Sequence, residues 1–135
     1  MKIQKHTVRR LIEHAKRESP VEARGYLAGK EGVISVSYEL TNVDQSPEHF
    51  SFDPKEQFTT VRDVRSKRLE LYGAYHSHPA SPARPSAEDV KLAYDPNILY
   101  FILSLADGRE DLKAFKIEKQ KVEVVSIQVV EDDGI

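Results

Sequence analysis

The segment LYGAYHSHP, residues 71–79, carries two histidines two positions apart and immediately before a proline. It follows a helical pattern and stops at Pro79, which predicts a strand from Leu71 to His78. Side chains repeat with a period of two along a strand, so His76 and His78 point to the same face. We therefore expect the two imidazoles to converge on one metal ion.

Two carboxylates complete the pattern around this strand. Ten residues lie between His78 and Asp89, and this proline-rich stretch is stiff enough to return the start of a helix to the end of the strand. Glu22 lies far upstream. Three protein ligands leave the fourth tetrahedral position of zinc open for a water, and a carboxylate outside the ligand set can take that water's proton. The pattern thus predicts a hydrolytic zinc site in which His76, His78 and Asp89 bind the metal and Glu22 is the base.

Each of these residues also has a simpler interpretation. The segment Ser86–Asp89 fits a capping box at a helix start, in which Asp89 serves the helix rather than a metal. A His-x-His pair taken alone is a weak signal, because histidines also occur on exposed strands. The combination of His-Ser-His-Pro, the ten-residue spacing and Pro-Ser-x-x-Asp favours the metal site.

These motifs resemble the JAMM signature of the MPN-domain metallopeptidases, Glu…His-Ser/Thr-His-Pro…Ser-x-x-Asp. The segment Pro20–Gly29 is similar to the family's opening Pro-x-Glu-x-Cys-Gly-x-Leu-x-Gly, and Phe52–Pro54 resembles the start of its second helix. The likeness extends over roughly residues 2–105. Arg24 stands where many bacterial members have Cys; that position is not a metal ligand, so the departure concerns substrate fit rather than activity.

The resemblance implies an α/β fold, specifically an α/β/α sandwich with a mixed sheet, the MPN (JAB) domain, which is cytidine-deaminase-like. It implies a zinc-dependent hydrolase in which Ser86 hydrogen-bonds the developing oxyanion, beside its interpretation as a helix cap. Compact relatives cut after the C-terminal Gly-Gly of ubiquitin-like sulfur-carrier proteins. The implied function is therefore peptide or isopeptide hydrolysis after such a Gly-Gly tail, which a narrow groove admits because glycine has no side chain.

Three other functions stay open at this point. Non-catalytic MPN scaffolds lose one or more ligands, whereas this chain keeps the full set. DNA-associated relatives of the RadC type tend to carry His-Asn-His where Ser77 stands here, and they add a helical DNA-binding segment for which we expect no room before Lys2. A phage-tail cell-wall peptidase is the weakest of these alternatives.

Length and composition favour one catalytic domain over residues 1–135. The net charge of −2 and the pI of about 6.2 indicate no general attraction to nucleic acid or anionic membranes. The absence of cysteine excludes disulfides, thiol catalysis and the His/Cys/Cys zinc set of nucleobase deaminases. We expect no signal peptide and no membrane span, hence a cytoplasmic protein. The oligomeric state stays open.

The hydrophobic pattern predicts alternating helices and strands. The predicted helices are Lys5–Ser19, one beginning at Asp53 and Pro54, and Ser86 to about Tyr94. The predicted strands besides Leu71–His78 are the hairpin Tyr26–Gly29 and Val33–Thr41, a central strand Ile98–Leu105, and two final strands, Leu112–Ile117 and Val122–Val130. We expect a loop over Val43–Ser51 and a disordered acidic tail over residues 130–135. His6, His14 and His49 have no ligand-like neighbours at a suggestive spacing and are interpreted as surface residues.

Overall fold

The computed structural model describes residues 1–41 and 53–132. The elements formed by these residues are β1 (Lys2–Gln4), α1 (Lys5–Glu18), β2 (Arg24–Lys30), β3 (Val33–Leu40), α2 (Pro54–Ser66), β4 (Glu70–His78), α3 (Ala87–Lys91), β5 (Leu99–Ser104), β6 (Asp111–Glu118), β7 (Lys121–Val125) and β8 (Gln128–Val130). The predicted loop Val43–Ser51, together with Phe52 and His49, lies outside the described residues. None of the described helices is long and apolar enough to cross a membrane.

The strands form one mixed sheet in the order β7-β6-β5-β4-β2-β3-β1-β8. β4 pairs in parallel with β5 and antiparallel with β2, so the strand that carries the two histidines lies inside the sheet. α1 covers one face, where the His14 ring meets the Tyr75 hydroxyl. α2 and α3 cover the opposite face, to which His76 points. The predicted α/β/α sandwich with a mixed sheet is confirmed.

The main core lies between α1 and the sheet. Leu11 of α1 is buried there in one cluster with Leu27, Tyr75 and Phe101. Gly25 pairs with Tyr75 across the sheet, and a Cβ at Gly25 would come within 2.5 Å of the Tyr75 ring. Glycine at this position therefore allows the Tyr75 ring to approach β2 closely.

α2 begins where the sequence predicts it. The Asp53 carboxylate accepts a hydrogen bond from the Lys55 N–H at 2.9 Å and caps the helix, and Pro54 opens the first turn. A hydrogen bond connects α2 to β2: the Gln57 side-chain amide donates to the Tyr26 hydroxyl at 2.6 Å. α3 is shorter than predicted and ends at Lys91.

The predicted final strand Val122–Val130 is wrong as a single strand. β7 pairs with β6 at one edge of the sheet, whereas β8 pairs with β1 at the other edge. Because only Ser126 and Ile127 separate β7 from β8, the sheet must curl until its two edges approach each other. It curls around α1, which contacts β3, β5 and β8. The hydrophobic pattern of Val122–Val130 does not show that the two halves of this segment pair with different strands.

Two smaller predictions also need correction. Val130 ends β8, and the Asp132 carboxylate accepts a hydrogen bond from the His6 N–H at 2.9 Å, so residues 130–132 are not a disordered tail. Residues 133–135 lie outside the described part. His14 is not a surface residue: it is 1% exposed, and its Nδ1 is hydrogen-bonded to the Tyr75 hydroxyl at 2.8 Å. Its position on the buried side of an amphipathic helix outweighs its polarity.

Candidate metal centre

Three side chains predicted as metal ligands meet at the end of β4. His76 Nε2 and His78 Nε2 are 3.2 Å apart, and each lies 3.1 Å from Asp89 Oδ2. Ligand atoms in tetrahedral positions about 2.0–2.1 Å from a zinc ion would be roughly 3.3 Å from one another. Two imidazole nitrogens and one carboxylate oxygen at these separations fit a zinc ion. Among the described residues, these three side chains form a potential metal-binding group.

The orientation of His78 is set by the loop that follows it. Its Nδ1 lies 2.8 Å from the Pro82 carbonyl oxygen, and a carbonyl can only accept, so Nδ1 carries a proton and donates it. A backbone carbonyl in this position is a common partner for metal-binding histidines, because it directs Nε2 toward the metal. The proline-rich loop therefore returns the chain toward the end of β4 and also orients the His78 ring.

Asp89 combines the two interpretations that the sequence leaves open. The Ser86 N–H donates to Asp89 Oδ2 at 2.9 Å, and the Asp89 N–H donates to Ser86 Oγ at 3.0 Å, which completes a capping box at the start of α3. The same Oδ2 faces both histidines. The helix cap therefore holds the carboxylate in the orientation that a metal would require.

Protonation at the site follows from burial and from these contacts. Burial opposes ionisation of Asp89, but hydrogen bonds from His76 and His78 outweigh it and hold the Asp89 pKa well below its usual range. Burial lowers the pKa of His76. The pKa of His78 is raised despite burial, by its hydrogen bonds to Asp89 and Pro82. Metal binding at His78 would therefore release a proton.

Glu22 is buried beside this group, with 7% of its surface exposed. The Ala23 N–H donates to Ser77 Oγ at 2.8 Å, and the Ser77 N–H donates to the Ala23 carbonyl at 2.9 Å. These two bonds join the Glu22 segment to the residue between the two histidines. Burial raises the pKa of Glu22 to about 7, although Arg24 works in the opposite direction. A pKa near neutrality suits a group that must both take and return a proton.

Arg24 belongs to the site itself, which the sequence does not reveal. Its Nε and one terminal nitrogen lie 3.3 Å from Glu22 Oε1, and the same terminal nitrogen is 4.0 Å from Asp89 Oδ1. The signal in the sequence is its spacing of two from Glu22, which places both side chains on one side of an extended segment.

Two cavities open on either side of the ligand group. One, of about 70 Å³, is lined by Arg24, His76 and Asp89 together with Tyr26, Leu92 and Tyr100. The other, of about 370 Å³, brings together Glu22, His78, Ser86 and Asp89. All five residues predicted for the site thus border the same pair of cavities, although they come from three separate segments of the chain.

Fold and site together define a class, that of JAMM/MPN proteins. Residues 4–118 match the prokaryotic homologs of the JAB domain. The CysO-cysteine peptidase of Mycobacterium tuberculosis is 35% identical over 127 residues, covering 92% of this chain and 87% of the relative. The desampylase of Pyrococcus furiosus is 31% identical over 129 residues, covering 94% and 89%.

Solved structures agree. The solution structure of a Desulfitobacterium hafniense protein has a TM-score of 0.87 and 43% identity, covering 98% of this chain and 94% of its own. The structure described as JAMM, a metalloprotease-like zinc site in the proteasome and signalosome, has a TM-score of 0.63 and 25% identity over 97% and 98% of the two chains. The chain belongs to the prokaryotic JAB-domain family, the prokaryotic branch of the JAMM/MPN hydrolases.

Proposed function

We propose that this chain is a zinc-dependent peptidase or isopeptidase that hydrolyses the bond after the C-terminal Gly-Gly of a ubiquitin-like sulfur-carrier protein. The observation that carries the proposal is the convergence of His76, His78 and Asp89 within about one metal coordination sphere, with the buried Glu22 on the cavity that His78 and Asp89 border. The names of the relatives, a CysO-cysteine peptidase and a desampylase, support the substrate class. The retained ligand set argues against a non-catalytic scaffold. A cytoplasmic location stays a prediction.

His76 and His78 would supply nitrogen ligands, and Asp89 an oxygen ligand. A zinc ion held there supplies two things: polarisation of the scissile carbonyl, and a water whose pKa is lowered to about 7. The two histidines occur as neighbours on one strand, and Asp89 is held by the cap of α3, so little rearrangement is needed to bind the ion. This pre-organisation raises affinity, because the ordering cost is met by folding.

Glu22 is the proposed proton carrier. It takes a proton from the attacking water, whose oxygen forms the new bond to the carbonyl carbon of the Gly-Gly tail. As the carbon–nitrogen bond breaks, Glu22 returns that proton to the leaving amine. The second proton of the water leaves from the new carboxyl group, so the products are a carboxylate on the carrier, a free amine and one proton. Burial supports this role, because it raises the Glu22 pKa to about 7, where gain and loss of a proton are nearly balanced.

Ser86 is the proposed donor to the developing oxyanion. Its hydroxyl oxygen accepts the Asp89 N–H at 3.0 Å, and a hydroxyl can accept and donate at the same time. The helix cap therefore leaves the hydroxyl proton to be directed into the cavity that Ser86 shares with Glu22 and His78. Loss of one such donor typically costs about 10²–10³ in turnover.

The test is cleavage of a sulfur-carrier protein that bears extra residues beyond its Gly-Gly. We expect release of those residues and a cut directly after the second glycine, read by mass spectrometry. A carrier whose final glycine is replaced by a bulky residue is expected to react far more slowly. Equal cleavage of both tails would contradict a narrow groove, and preferential cleavage of poly-ubiquitin would contradict the proposed substrate class.

A further inference from the structure

Arg24 is a charged side chain of the site to which the proposed reaction assigns no role beyond its contact with Glu22. It is about one quarter exposed, with 24% of its side-chain surface accessible. It lines the smaller cavity together with His76 and Asp89, and the other walls of that cavity include the side chains of Tyr26, Leu92 and Tyr100. A guanidinium in partly apolar surroundings is suited to bind a carboxylate, because its planar N–H groups match the two carboxylate oxygens.

The position of Arg24 relative to Glu22 indicates which carboxylate this would be. Glu22 must come within hydrogen-bond distance of the leaving amine in order to return its proton. Arg24 already lies 3.3 Å from the Glu22 Oε1 atom. In an amino acid the carboxylate carbon is only about 2.5 Å from the amine nitrogen. A leaving amino acid therefore presents its own α-carboxylate close to the Arg24 guanidinium.

An isopeptide substrate differs at this point. Its leaving amine is a lysine Nζ, and the methylene chain next to that nitrogen bears no carboxylate. Such a substrate offers no anion within the same distance of Arg24, and the body of the partner protein must also be accommodated.

We propose that Arg24 selects substrates in which a single amino acid with a free α-carboxylate follows the Gly-Gly of the carrier. This inference rests on the proposed function, and it assigns Arg24 as a specificity residue. According to this inference, the protein releases a single C-terminal amino acid from the carrier in preference to cleaving isopeptide conjugates.

The test compares two carrier proteins that differ only in the group at their C-terminus. Both bear one amino acid after Gly-Gly, in one case with a free carboxylate and in the other with a carboxamide. We expect the wild-type kcat/KM to favour the free acid by about tenfold or more, as for a hydrogen bond between charged groups. Arg24→Gln is expected to bring the acid-to-amide ratio close to one. The ratio cancels any effect of the substitution on Glu22, which would slow both substrates.

Arg84→Gln is the matched control, because Arg84 is an exposed arginine in the loop that follows β4. It should leave the ratio as in the wild type. The metal content of Arg24→Gln is measured in parallel, to show that the ligand group is intact. If Arg24→Gln does not fold, Arg24→Lys replaces it, and an intermediate ratio is expected because lysine keeps the charge but loses the planar fork.

The outcomes separate this inference from the proposed function. If the wild type cuts the acid and the amide equally well, the inference is wrong and the peptidase function stands. The same holds if Arg24→Gln keeps the preference, or if a lysine isopeptide is the better substrate. If neither carrier is cut, the proposed function fails, and the inference fails with it.

Discussion

At the scale of the residue, His78 uses its two ring nitrogens for different tasks. Nδ1 donates to the Pro82 carbonyl at 2.8 Å, while Nε2 faces Asp89 at 3.1 Å. A histidine held in this way presents one nitrogen to a metal in a fixed direction. His6 has different surroundings, because its ring contacts Asp132 and the Ser35 carbonyl, on the side of the molecule where β8 joins β1.

This contrast gives a prediction for metal binding. Protein purified without chelator or a metal-affinity step is expected to hold about one zinc ion per chain. His76→Ala should abolish that binding, because it removes one of three ligands, whereas His6→Ala should keep it. The measurement is elemental analysis of both variants. Full zinc content in His76→Ala would refute the assignment of the ligands.

Glu22 can be separated from the ligands by a conservative change. Glu22→Gln keeps the size and the hydrogen-bonding capacity of the side chain but cannot accept a proton. We expect the metal content to be unchanged and turnover of an extended sulfur carrier to fall by about 10² or more. Near-normal turnover would remove Glu22 from the mechanism and would favour a different base.

At the scale of the element, the Glu22 segment and β4 are joined through Ser77. Ser77 is 1% exposed and its hydroxyl accepts the Ala23 N–H, so the middle residue of the His-Ser-His motif fixes the position of the Glu22 segment relative to the two histidines. β4 also lies between two neighbouring strands, which restrains it on both sides. The site is therefore built on rigid elements rather than on loops alone.

Ser77→Ala tests this connection. The substitution leaves the Ala23 N–H buried without its partner, and we expect the free energy of unfolding to fall by about 1–3 kcal/mol. Urea denaturation gives the value. Ser81→Ala, at an exposed position in the loop after β4, serves as the control and should change stability by less than about 0.5 kcal/mol. An equal effect of the two changes would contradict the proposed connection.

At the scale of the whole molecule, a buried polar pair lies beneath the site strand on the other face of the sheet. The Tyr75 hydroxyl is hydrogen-bonded to His14 Nδ1 at 2.8 Å, and His14 Nε2 lies 3.7 Å from Glu18. Burial lowers the pKa of His14 below its ordinary value of 6.5, opposed by Glu39 and reinforced by Arg17. His14 is therefore neutral in the folded protein near pH 7.

The sign of the resulting pH dependence follows from proton uptake. Above pH 6.5 His14 is neutral in both the folded and the unfolded chain and contributes no pH dependence. Below pH 6.5 the unfolded chain binds a proton that the folded chain does not. The free energy of unfolding therefore decreases as the pH is lowered, by up to about 1.4 kcal/mol per pH unit. His14→Gln should remove this slope. The measurement is the difference in unfolding free energy between the two proteins from pH 7.5 to 5; a difference independent of pH would contradict a neutral buried His14.

Several elements could be predicted because their signals are local. The period of two in β4, the Asp53-Pro54 start of α2 and the apolar run of β5 depend on neighbouring residues alone. The fate of Val122–Val130 could not be predicted in this way. Whether its two halves pair with β6 or with β1 depends on how far the sheet curls, and that depends on packing around α1.

The sequence by itself determined which residues have the chemistry of a metal site, since ligand type and spacing are properties of the chain. It also determined that His76 and His78 share a face, because a strand alternates. Only the tertiary structure decided that Arg24 borders the same cavity as His76 and Asp89 and that His14 is buried against Tyr75. The physical reason is that both outcomes depend on contacts between segments far apart in the chain, and a pattern of local periodicity contains no information about such distances.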